Sequence, residues 1–417
     1  MLRHRQRISH HRCFLSLQVS CKPFRSWGSI PIESCRSTAC GNSLRPIRVI
    51  RAIRGKKIFM TLLLTNEDVE KALIPEDAIT ATEQVYRELA EGVALNRARS
   101  QVYLPAESKN NPGFRYRFKS QEGGSPGTGV WALRITSDMA GHSYTAGVKR
   151  RRILPVATGN KYCGFVILFD IERIEPIAIM PDGVIQKLRV AALSAVGAKY
   201  LAPAKPSVLG LFGSGWQAGA HLEFLCRLFN FERIKVYSPN EQHRRDFAES
   251  MSRKLDRRVD AAKSPREAVE GTDFIQAATA AWDAVFDGHW VEKGMYVASI
   301  GGSDASSKRR EIDDETIRRA DLYIVHSKEV ARLDQSPDIW DIAQKGIMKW
   351  ESIYEIQDLL GGQVAGRTRA DEITVFNNNT GAGTQFAALG SVVLKKARDM
   401  GLGREIPTDW FLEDVTP

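Results

Sequence analysis

A glycine turn between a short apolar strand and a helix limits the fold of this sequence more than any other feature. Gly213, Gly215 and Ala218 have the G-x-G-x-x-A spacing of a dinucleotide-binding turn. The strand candidate Val208–Phe212 precedes them, and apolar residues at helical spacing follow. The first glycine permits the tight bend, the second lets the backbone approach a pyrophosphate, and the third small residue lets the helix pack on the strand. We therefore predict a dinucleotide-binding site at the helix N-terminus, with an ordinary strand-to-helix turn as the alternative.

The alternation of strands and helices around this turn predicts the fold class. Strand candidates recur, with helical stretches between most of them, at Ile234–Tyr237, Phe274–Ala277, Tyr296–Ile300, Leu322–Val325 and Ile373–Phe376. This rhythm is typical of an α/β fold with a Rossmann-type, doubly wound parallel sheet. We assign that sheet to an NAD(P)-binding domain at residues 186–384.

The residues that flank this region predict a second, smaller domain. Residues 60–185 contain strand candidates without the βα rhythm, which indicates an α+β domain. The apolar helix predicted from Gln385 to Met400 would return to that domain. We therefore expect residues 60–185 plus 385–412 to form one domain, with the Rossmann domain inserted into it. Within it, Asn110–Gly129 is rich in Gly, Asn, Ser and Pro and is expected to be a loop.

The basic charge of the chain is concentrated at one end. The whole chain carries +10 at pH 7, and residues 1–59 contain thirteen Lys and Arg against one acid, Glu33, which makes +12. The remaining 358 residues therefore carry −2. Because the basicity belongs to a segment and not to the body, we exclude nucleic acid as a partner. The sequence contains no run of about 20 apolar residues, so we predict no membrane span.

Residues 1–59 have two interpretations. Scattered Arg and Ser with almost no acid is the composition of an organelle transit peptide. The alternative, which we favour, is an upstream extension ahead of a true start at Met60, where the regular organisation of the chain begins. Four of the six cysteines lie in this segment at spacings that match no metal site, while Cys163 and Cys226 in the body fit a reducing compartment. We expect a cytoplasmic protein without a metal site, with organelle import if the first segment is a transit peptide.

Several motifs together resemble the ornithine cyclodeaminase/mu-crystallin family, from Met60 to about Leu412. The segments that carry the resemblance are Gly164–Asp170, Met180–Gly183, Leu188–Ala192, Gly213–Ala218 and Gly294–Asp304. An Arg-x-Ala-Ala helix that leads into a G-x-G-x-Q-A turn is more specific than the glycine pattern alone. The resemblance implies a homodimer in which the split domain binds the substrate and dimerises. It also implies NAD or NADP as the cofactor and action on the Cα–N bond of amino acids or cyclic imines.

The resemblance assigns substrate roles to three arginines and an acid. Arg189 matches the arginine that holds a substrate carboxylate, which a guanidinium can bind with two parallel hydrogen bonds; a surface or capping arginine is the alternative. Arg99, or its neighbour Arg97, matches a second arginine of similar role. Arg134 stands where the family usually carries a lysine, which leaves electrostatic binding and not proton transfer as its role. Asp304 matches the acid that handles the amine proton, so we assign Asp304 and Arg134 as catalytic.

The end of the second strand of the Rossmann unit bears on the choice of cofactor. Folds that prefer NAD place an acid there to hold the ribose 2′-hydroxyl, whereas this chain has Ser238 with Arg244 just beyond, which could accept a 2′-phosphate. We therefore predict NADP, with NAD as the alternative. The predicted cofactor-binding residues are Gly213, Gly215, Gln217, Ala218, Ser238, Arg244 and Thr279.

The predicted function is an NAD(P)-dependent oxidoreductase at the Cα–N centre of an amino acid or cyclic imine. The loop 377–386 departs from the family pattern, which usually has a serine before the glycine and an acid after it. The missing acid favours net oxidoreduction over ornithine cyclisation. The alternatives are a cyclodeaminase that releases ammonia and recycles its cofactor, and a non-catalytic NADP-dependent binding protein of the mu-crystallin type.

Overall fold

The structure is a computed structural model that describes residues 59–304 and 307–415. The prediction about residues 1–59 falls almost entirely outside the described residues. Within the described ranges, no helix is both long and apolar enough to cross a membrane.

The described residues form two sheets and the helices that pack on them. The strands are β1 Met60–Leu63, β2 Leu95–Asn96, β3 Ser100–Ser108, β4 Asn111–Ser125, β5 Val130–Thr145, β6 Val148–Leu154, β7 Cys163–Asp170, β8 Pro176–Pro181, β9 Val208–Phe212, β10 Arg233–Tyr237, β11 Val259–Ala261, β12 Phe274–Ala277, β13 Tyr296–Ser299, β14 Leu322–Val325, β15 Ile353–Glu355, β16 Thr374–Asn377 and β17 Arg404–Pro407. The α-helices are α1 Asn66–Ala72, α2 Pro75–Ala90, α3 Gly183–Leu201, α4 Trp216–Leu228, α5 Glu241–Leu255, α6 Pro265–Val269, α7 Asp314–Arg318, α8 Lys328–Leu333, α9 Trp340–Gln344, α10 Ile356–Leu360 and α11 Gly383–Asp399.

The second sheet has the predicted Rossmann-type topology. Its eight strands run in the order β11-β10-β9-β12-β13-β16-β14-β15, and every pairing is parallel. The strand order reverses at β9, whose neighbours are β10 on one side and β12 on the other. All six strands expected from the sequence are present, and the predicted α/β class is confirmed.

The first sheet corrects one prediction. Its main path is β17-β1-β8-β7-β5-β4-β2, with β3 paired to β4 and β6 to β5. The expected loop at Asn110–Gly129 is wrong, since most of it is β4, which pairs with β3 on one side and with β5 on the other. Its glycines are sites of close packing: a Cβ on Gly123 would lie 2.7 Å from the backbone N of Thr384, and one on Gly124 would lie 2.5 Å from the carbonyl of Val130.

Helix α3 connects the two sheets. One cluster of buried apolar side chains contains residues of both, for example Leu168 of β7 and Leu209 of β9, together with Leu193 of α3. The boundaries predicted at 185/186 and 384/385 fall inside α3 and α11, which contact each other. Helix α3 also contacts β13 and β16 of the second sheet, and α11 contacts β4 and β5 of the first. The division into a substrate-binding domain and an inserted Rossmann domain stays a prediction.

The start of α11 lies against β4 and provides a test of this packing. A Cβ on Gly383 would stand 1.9 Å from the carbonyl carbon of Glu122, whereas one on Gly219 of α4 would meet only side-chain atoms at 3.7 Å or more. We expect Gly383→Ala to lower the free energy of unfolding by about 1–3 kcal/mol through overpacking. Gly219→Ala should raise it by about 0.5–1 kcal/mol, because alanine is the better helix former. Urea unfolding of both variants checks this; equal effects would contradict the packing described.

Candidate functional site

One large cavity lies where the carboxyl ends of the Rossmann strands face β4 to β6 of the first sheet. Its volume is about 790 Å³. Ligands of open parallel sheets bind at this edge, beside the point where the strand order reverses. Six of the predicted site residues line it: Arg99, Arg134, Arg189, Gln217, Thr279 and Asp304.

The glycine turn lies directly before Trp216 and Gln217, which line this cavity, and it has the geometry that a pyrophosphate needs. Gly213 has φ +114°, a region that favours glycine, and its N–H donates to the Tyr237 carbonyl at 2.8 Å. Gly215 begins α4, and a Cβ there would meet no heavy atom within 4 Å, so the backbone is open to a ligand. Ala218 is fully buried. The side-chain oxygen of Gln217 is buried without a hydrogen-bond partner among the described residues, so a donor on a ligand could use it.

The end of β10 presents two groups, Ser238 and Arg244, that could bind the ribose of a dinucleotide or a 2′-phosphate on it. The hydroxyl of Ser238 lies 2.9 Å from that of Ser214, inside the glycine turn. Arg244 donates to the Ser238 carbonyl at 2.6 Å, and its buried Nε has no partner within the described ranges. The first acid after β10, Glu241, pairs with Arg245 at 2.5 Å on the outer side of α5.

Thr279 lines the cavity and is held there by Glu311, a residue that the sequence analysis did not identify. The buried carboxylate of Glu311 accepts hydrogen bonds from the backbone N–H and, at 2.6 Å, from the hydroxyl of Thr279. It also accepts from the Ile300 N–H at 2.7 Å. Glu311 therefore holds the ends of β12 and β13 together at the edge where a cofactor would lie. Since Glu311 sits in an irregular segment, no pattern in the sequence pointed to it.

Arg189 projects from α3 into the cavity without a carboxylate partner. It donates to the Thr380 carbonyl at 3.0 Å and to the side-chain oxygen of Gln385 at 3.2 Å. No Asp or Glu of the described residues lies within ion-pair distance of it. Burial, with the charge of Arg134 nearby, lowers the pKa of Arg189 to about 9. A Cβ on Gly381 would stand 2.6 Å from this guanidinium, so the glycine leaves the room it needs.

The other two predicted arginines are already paired. Arg134 donates from Nε and Nη2 to the Asp182 carboxylate at 2.9 and 2.6 Å, and from Nη1 to Gln121 at 2.6 Å. Arg99 pairs with Asp334 and also donates to the Thr380 hydroxyl at 2.7 Å. Its neighbour Arg97 instead forms an exposed ion pair outside the cavity, so of the two it is Arg99 that lies at the site.

Asp304 is buried at the cavity wall beside two groups that sequence reasoning missed. The Tyr103 hydroxyl donates to its carboxylate at 3.1 Å, and Arg117 lies 3.9 Å from it. Arg117 is itself held by a two-pronged ion pair with Asp138, at 2.8 and 2.6 Å. Arg117 and Asp138 face each other across β4 and β5. Because Asn110–Gly129 was predicted to be a loop, the sequence analysis had no strand register from which to infer this pairing.

A buried histidine, His326, contacts the same backbone carbonyl as Arg189. Burial and the charge of Arg189 lower the pKa of His326 to about 3, so the ring is neutral when folded. Its Nδ1 lies 3.1 Å from the Thr380 carbonyl, which also accepts from Arg189, and its Nε2 lies against the Tyr86 hydroxyl. The tautomer that satisfies both contacts donates from Nδ1 and accepts at Nε2. Among all the described residues, no group of three or more His, Cys, Asp or Glu side chains is placed to hold a metal ion.

Comparisons of the sequence and the fold with known proteins find a matching family and related structures. A sequence profile of the ornithine cyclodeaminase/mu-crystallin family matches residues 60–400. The Delta(1)-pyrroline-2-carboxylate reductase of Bacillus cereus is 30% identical over 262 residues, which are 61% of this chain and 79% of that protein.

Two solved structures share the fold over nearly their whole length. The Delta(1)-pyrroline-2-carboxylate reductase of Thermococcus litoralis, in complex with NADH and L-proline, has a TM-score of 0.71 at 28% identity and covers 83% of this chain and 100% of its own. An archaeal alanine dehydrogenase dimer with bound NAD has a TM-score of 0.69 at 26% identity and covers 84% of this chain and 99% of its own.

A second buried histidine beside the glycine turn predicts how stability depends on pH. His221 lies 2.8 Å from the Gln217 carbonyl and 3.0 Å from the Ser194 hydroxyl, and burial lowers its pKa to about 4. Since the unfolded chain takes up a proton below about pH 6.5 and the folded chain does not, this residue makes stability fall as the pH drops from 6.5 to 4. We expect His221→Gln to reduce the stability lost between pH 7 and 5 by about 2 kcal/mol.

Urea unfolding at the two pH values measures that difference. The matched control is His243→Gln, because His243 is exposed on α5. A wild-type pH dependence in His221→Gln would contradict the neutral, buried state of His221.

Proposed function

The chain belongs to the ornithine cyclodeaminase/mu-crystallin family, and we propose that it catalyses NAD(P)-dependent oxidoreduction at the Cα–N centre of an amino acid or cyclic imine. The observation that carries the proposal is the joint position of Arg189 and Asp304. An arginine without a carboxylate partner and a buried acid face one cavity, which Gln217 of the dinucleotide-type turn also lines.

In this mechanism the chain's own residues bind and orient the substrate. Arg189 holds the α-carboxylate through the donors that its backbone contacts leave free. The Thr380 carbonyl and Gly381 fix the position of this guanidinium, so that the α-carbon faces the end of the Rossmann sheet. A nicotinamide cofactor, when bound, supplies the hydride to that carbon or takes it away.

Asp304 handles the proton on the substrate nitrogen. In the reductive direction the C=N carbon gains a hydride and the nitrogen gains one proton, which Asp304 passes on; oxidation reverses both transfers. The Tyr103 hydroxyl and Arg117 lie against this carboxylate and position it. Arg134 acts through Asp182 and Gln121, since all three of its nitrogens donate to them. It therefore shapes the charge of the cavity instead of binding the substrate directly.

The loop 377–386 supports net oxidoreduction over cyclodeamination. Gln385 and Phe386 occupy its end, and the Phe386 ring lies 5.3 Å from the Arg134 guanidinium and 5.8 Å from that of Arg189. The face of an aromatic ring suits cations of this kind. The loop contains no carboxylate that could bind the distal ammonium group of a diamino acid, the group that takes part in cyclisation.

We further propose a homodimer built on the outer face of β3 and β4. Val102 and Phe118 are cross-strand partners and both are exposed, as is Leu104. They alternate along the strands with Tyr103 and Arg117, which face the cavity. Exposed apolar side chains grouped in this way are typical of an interface. Light scattering tests this: a monomer at micromolar concentration would exclude it.

A screen of purified protein tests the function. NAD(P)H oxidation is followed with cyclic imines and with keto acids plus amines, and NAD(P)⁺ reduction with amino acids. Turnover of at least one class supports the proposal. Ammonia release from ornithine without net change in the cofactor would show a cyclodeaminase instead, and tight NADPH binding without any turnover would show a binding protein.

Two substitutions separate the roles at the site. We expect Asp304→Asn to lower kcat by about 10²–10⁴-fold, the usual contribution of a general acid or base, while NADPH affinity is retained. Arg189→Met should mainly raise KM for the amino acid or imine, because it removes carboxylate binding. Steady-state kinetics and NADPH fluorescence titration measure both effects. Asp399→Asn, exposed at the end of α11, is the control; unchanged turnover in Asp304→Asn would remove that residue from the mechanism.

The NADP preference rests on Ser238 and Arg244. We expect Ser238→Asp to weaken NADPH binding by about tenfold or more, a cost of about 1.4 kcal/mol, because a carboxylate would repel the 2′-phosphate and accept from a ribose hydroxyl instead. The change should shift the ratio of kcat/KM values towards NAD. Arg245→Met, next to Arg244 but exposed, is the control. If NADPH affinity in Ser238→Asp stayed at the wild-type value, the 2′-phosphate would bind elsewhere.

A further inference from the structure

The cavity contains more cationic than anionic side chains among the described residues. Seven cations line it: Arg99, Arg117, Lys119, Arg134, Arg151, Arg189 and Arg309. Three carboxylates line it with them: Asp138, Asp182 and Asp304. Three of the arginines have their own carboxylate, in the pairs Arg99–Asp334, Arg117–Asp138 and Arg134–Asp182. Arg309 is buried and donates to the carbonyls of Gly302 and Ala281.

Lys119 and Arg151 are left without such partners. Neither side chain makes a hydrogen bond or an ion pair with any residue in 59–304 or 307–415. Lys119 stands opposite Thr136 on β5, between the Arg117–Asp138 and Gln121–Arg134 cross-strand pairs. Arg151 enters from β6, whose backbone is fixed here by the Arg151 N–H to the Ala280 carbonyl at 3.0 Å. Two strands that both pair with β5 thus present two basic side chains to the same wall of the cavity.

This arrangement is unfavourable in the absence of a ligand. Burial and the neighbouring arginines, Arg134 first, hold the pKa of Lys119 well below its usual 10.5, and burial with Arg117 lowers that of Arg151 to about 9. Cations that share a half-buried wall repel one another and lose hydration without a compensating contact. For Arg151, Asp304 and Tyr103 offset part of this cost, whereas the charges that act most strongly on Lys119 are all arginines. Further compensation is therefore expected from a bound anion.

The predicted ligands already named do not supply that anion. The α-carboxylate of the substrate belongs to Arg189, which reaches the cavity from α3 and not from the strands. The pyrophosphate would lie at Gly213 and Gly215 and a 2′-phosphate at Ser238 and Arg244, and none of these four residues lines the cavity. A further negative group is therefore needed at the wall of β4 and β6.

We propose that the substrate carries a second carboxylate, bound by Lys119 and Arg151, while Arg189 holds the α-carboxylate. The substrate class is then the amino dicarboxylates and the imines of the corresponding oxo dicarboxylates. This inference rests on the proposed function, whose substrate it names. It also assigns a specificity role to Lys119, which lies in the segment that the sequence predicted to be a loop.

Matched substrate pairs test the inference in the full-length protein. L-Aspartate is compared with L-2-aminobutyrate, and L-glutamate with L-norvaline, so that each pair differs in the distal carboxylate. We expect kcat/KM to be at least about tenfold higher for the dicarboxylate in at least one pair, and Lys119→Met or Arg151→Met to reduce that ratio by about 10–100-fold, as the loss of a charged hydrogen bond does. Lys119→Arg and Arg151→Lys keep the charge and should keep most of the preference.

Two controls come from the same strands. Arg115→Met on β4 and Arg152→Met on β6 remove exposed arginines that do not line the cavity, so the ratio should stay at the wild-type value. Thermal unfolding guards against misfolding: since Lys119→Met removes a buried amine without a hydrogen-bond partner among the described residues, its Tm should equal or exceed that of the wild type. A lower Tm together with wild-type selectivity would show that Lys119 is structural, which would overturn the proposal.

A binding measurement separates this inference from the proposed function. Calorimetry with succinate and butyrate, in the presence of NADPH, compares two acids of equal chain length that differ by one carboxylate. Tighter binding of succinate that is lost in Lys119→Met and Arg151→Met supports the second anion site even if no amino acid is turned over. Turnover of amino acids without any preference for dicarboxylates, and equal binding of the two acids, would leave the proposed function standing and refute the second carboxylate.

Discussion

The packing of helix α3 between the two sheets is the constraint on which the rest of the structure depends. Thirteen of its nineteen residues are buried, and most of these are small or apolar. The close approach is visible at Gly197, where a Cβ would stand 2.6 Å from the Phe376 ring of β16. Polar contacts fix the helix as well, since the Ser194 hydroxyl lies 3.0 Å from His221 and accepts from Asn378 at 3.1 Å. Because α3 carries Arg189, this packing sets the position of the guanidinium that we propose binds a substrate carboxylate.

Electrostatic balance decides what the cavity can hold. The carboxylates of Asp138, Asp182 and Asp334 each take one arginine, and hydrogen bonds to backbone carbonyls hold others in place. These contacts offset most of the desolvation free energy of burying several guanidinium groups together. The basic side chains without a carboxylate partner lie on two sides of the cavity: Arg189 on one, and Lys119 and Arg151 on another. This distribution of charge underlies the proposed preference for anionic substrates over those that carry a second ammonium group.

The sequence predicted the Rossmann half of the fold well and the other half less well. Parallel strands buried on both faces appear as short apolar runs between helices, so β9 to β16 could be located from composition and spacing. The long antiparallel strands β4 and β5 have mixed composition, since one face lines a polar cavity and most side chains of the other are only half-buried. Gly123 and Gly124 also favoured the incorrect prediction of a loop. Glycines that permit close packing cannot be distinguished from glycines of a turn until the neighbouring strand is known.

By itself, the sequence determines the glycine turn, the α/β class and the family, because these depend on residues close together in the chain and on local backbone conformation. Only the tertiary structure decides which charged groups are free. Arg134 meets Asp182 across 48 positions and Arg99 meets Asp334 across 235, so no local pattern could show that both are paired while Arg189 is not. Lys119 and Arg151 likewise come together only through the register of β4, β5 and β6. Charge pairing is a matter of distance in space, and here the folded sheets alone set that distance.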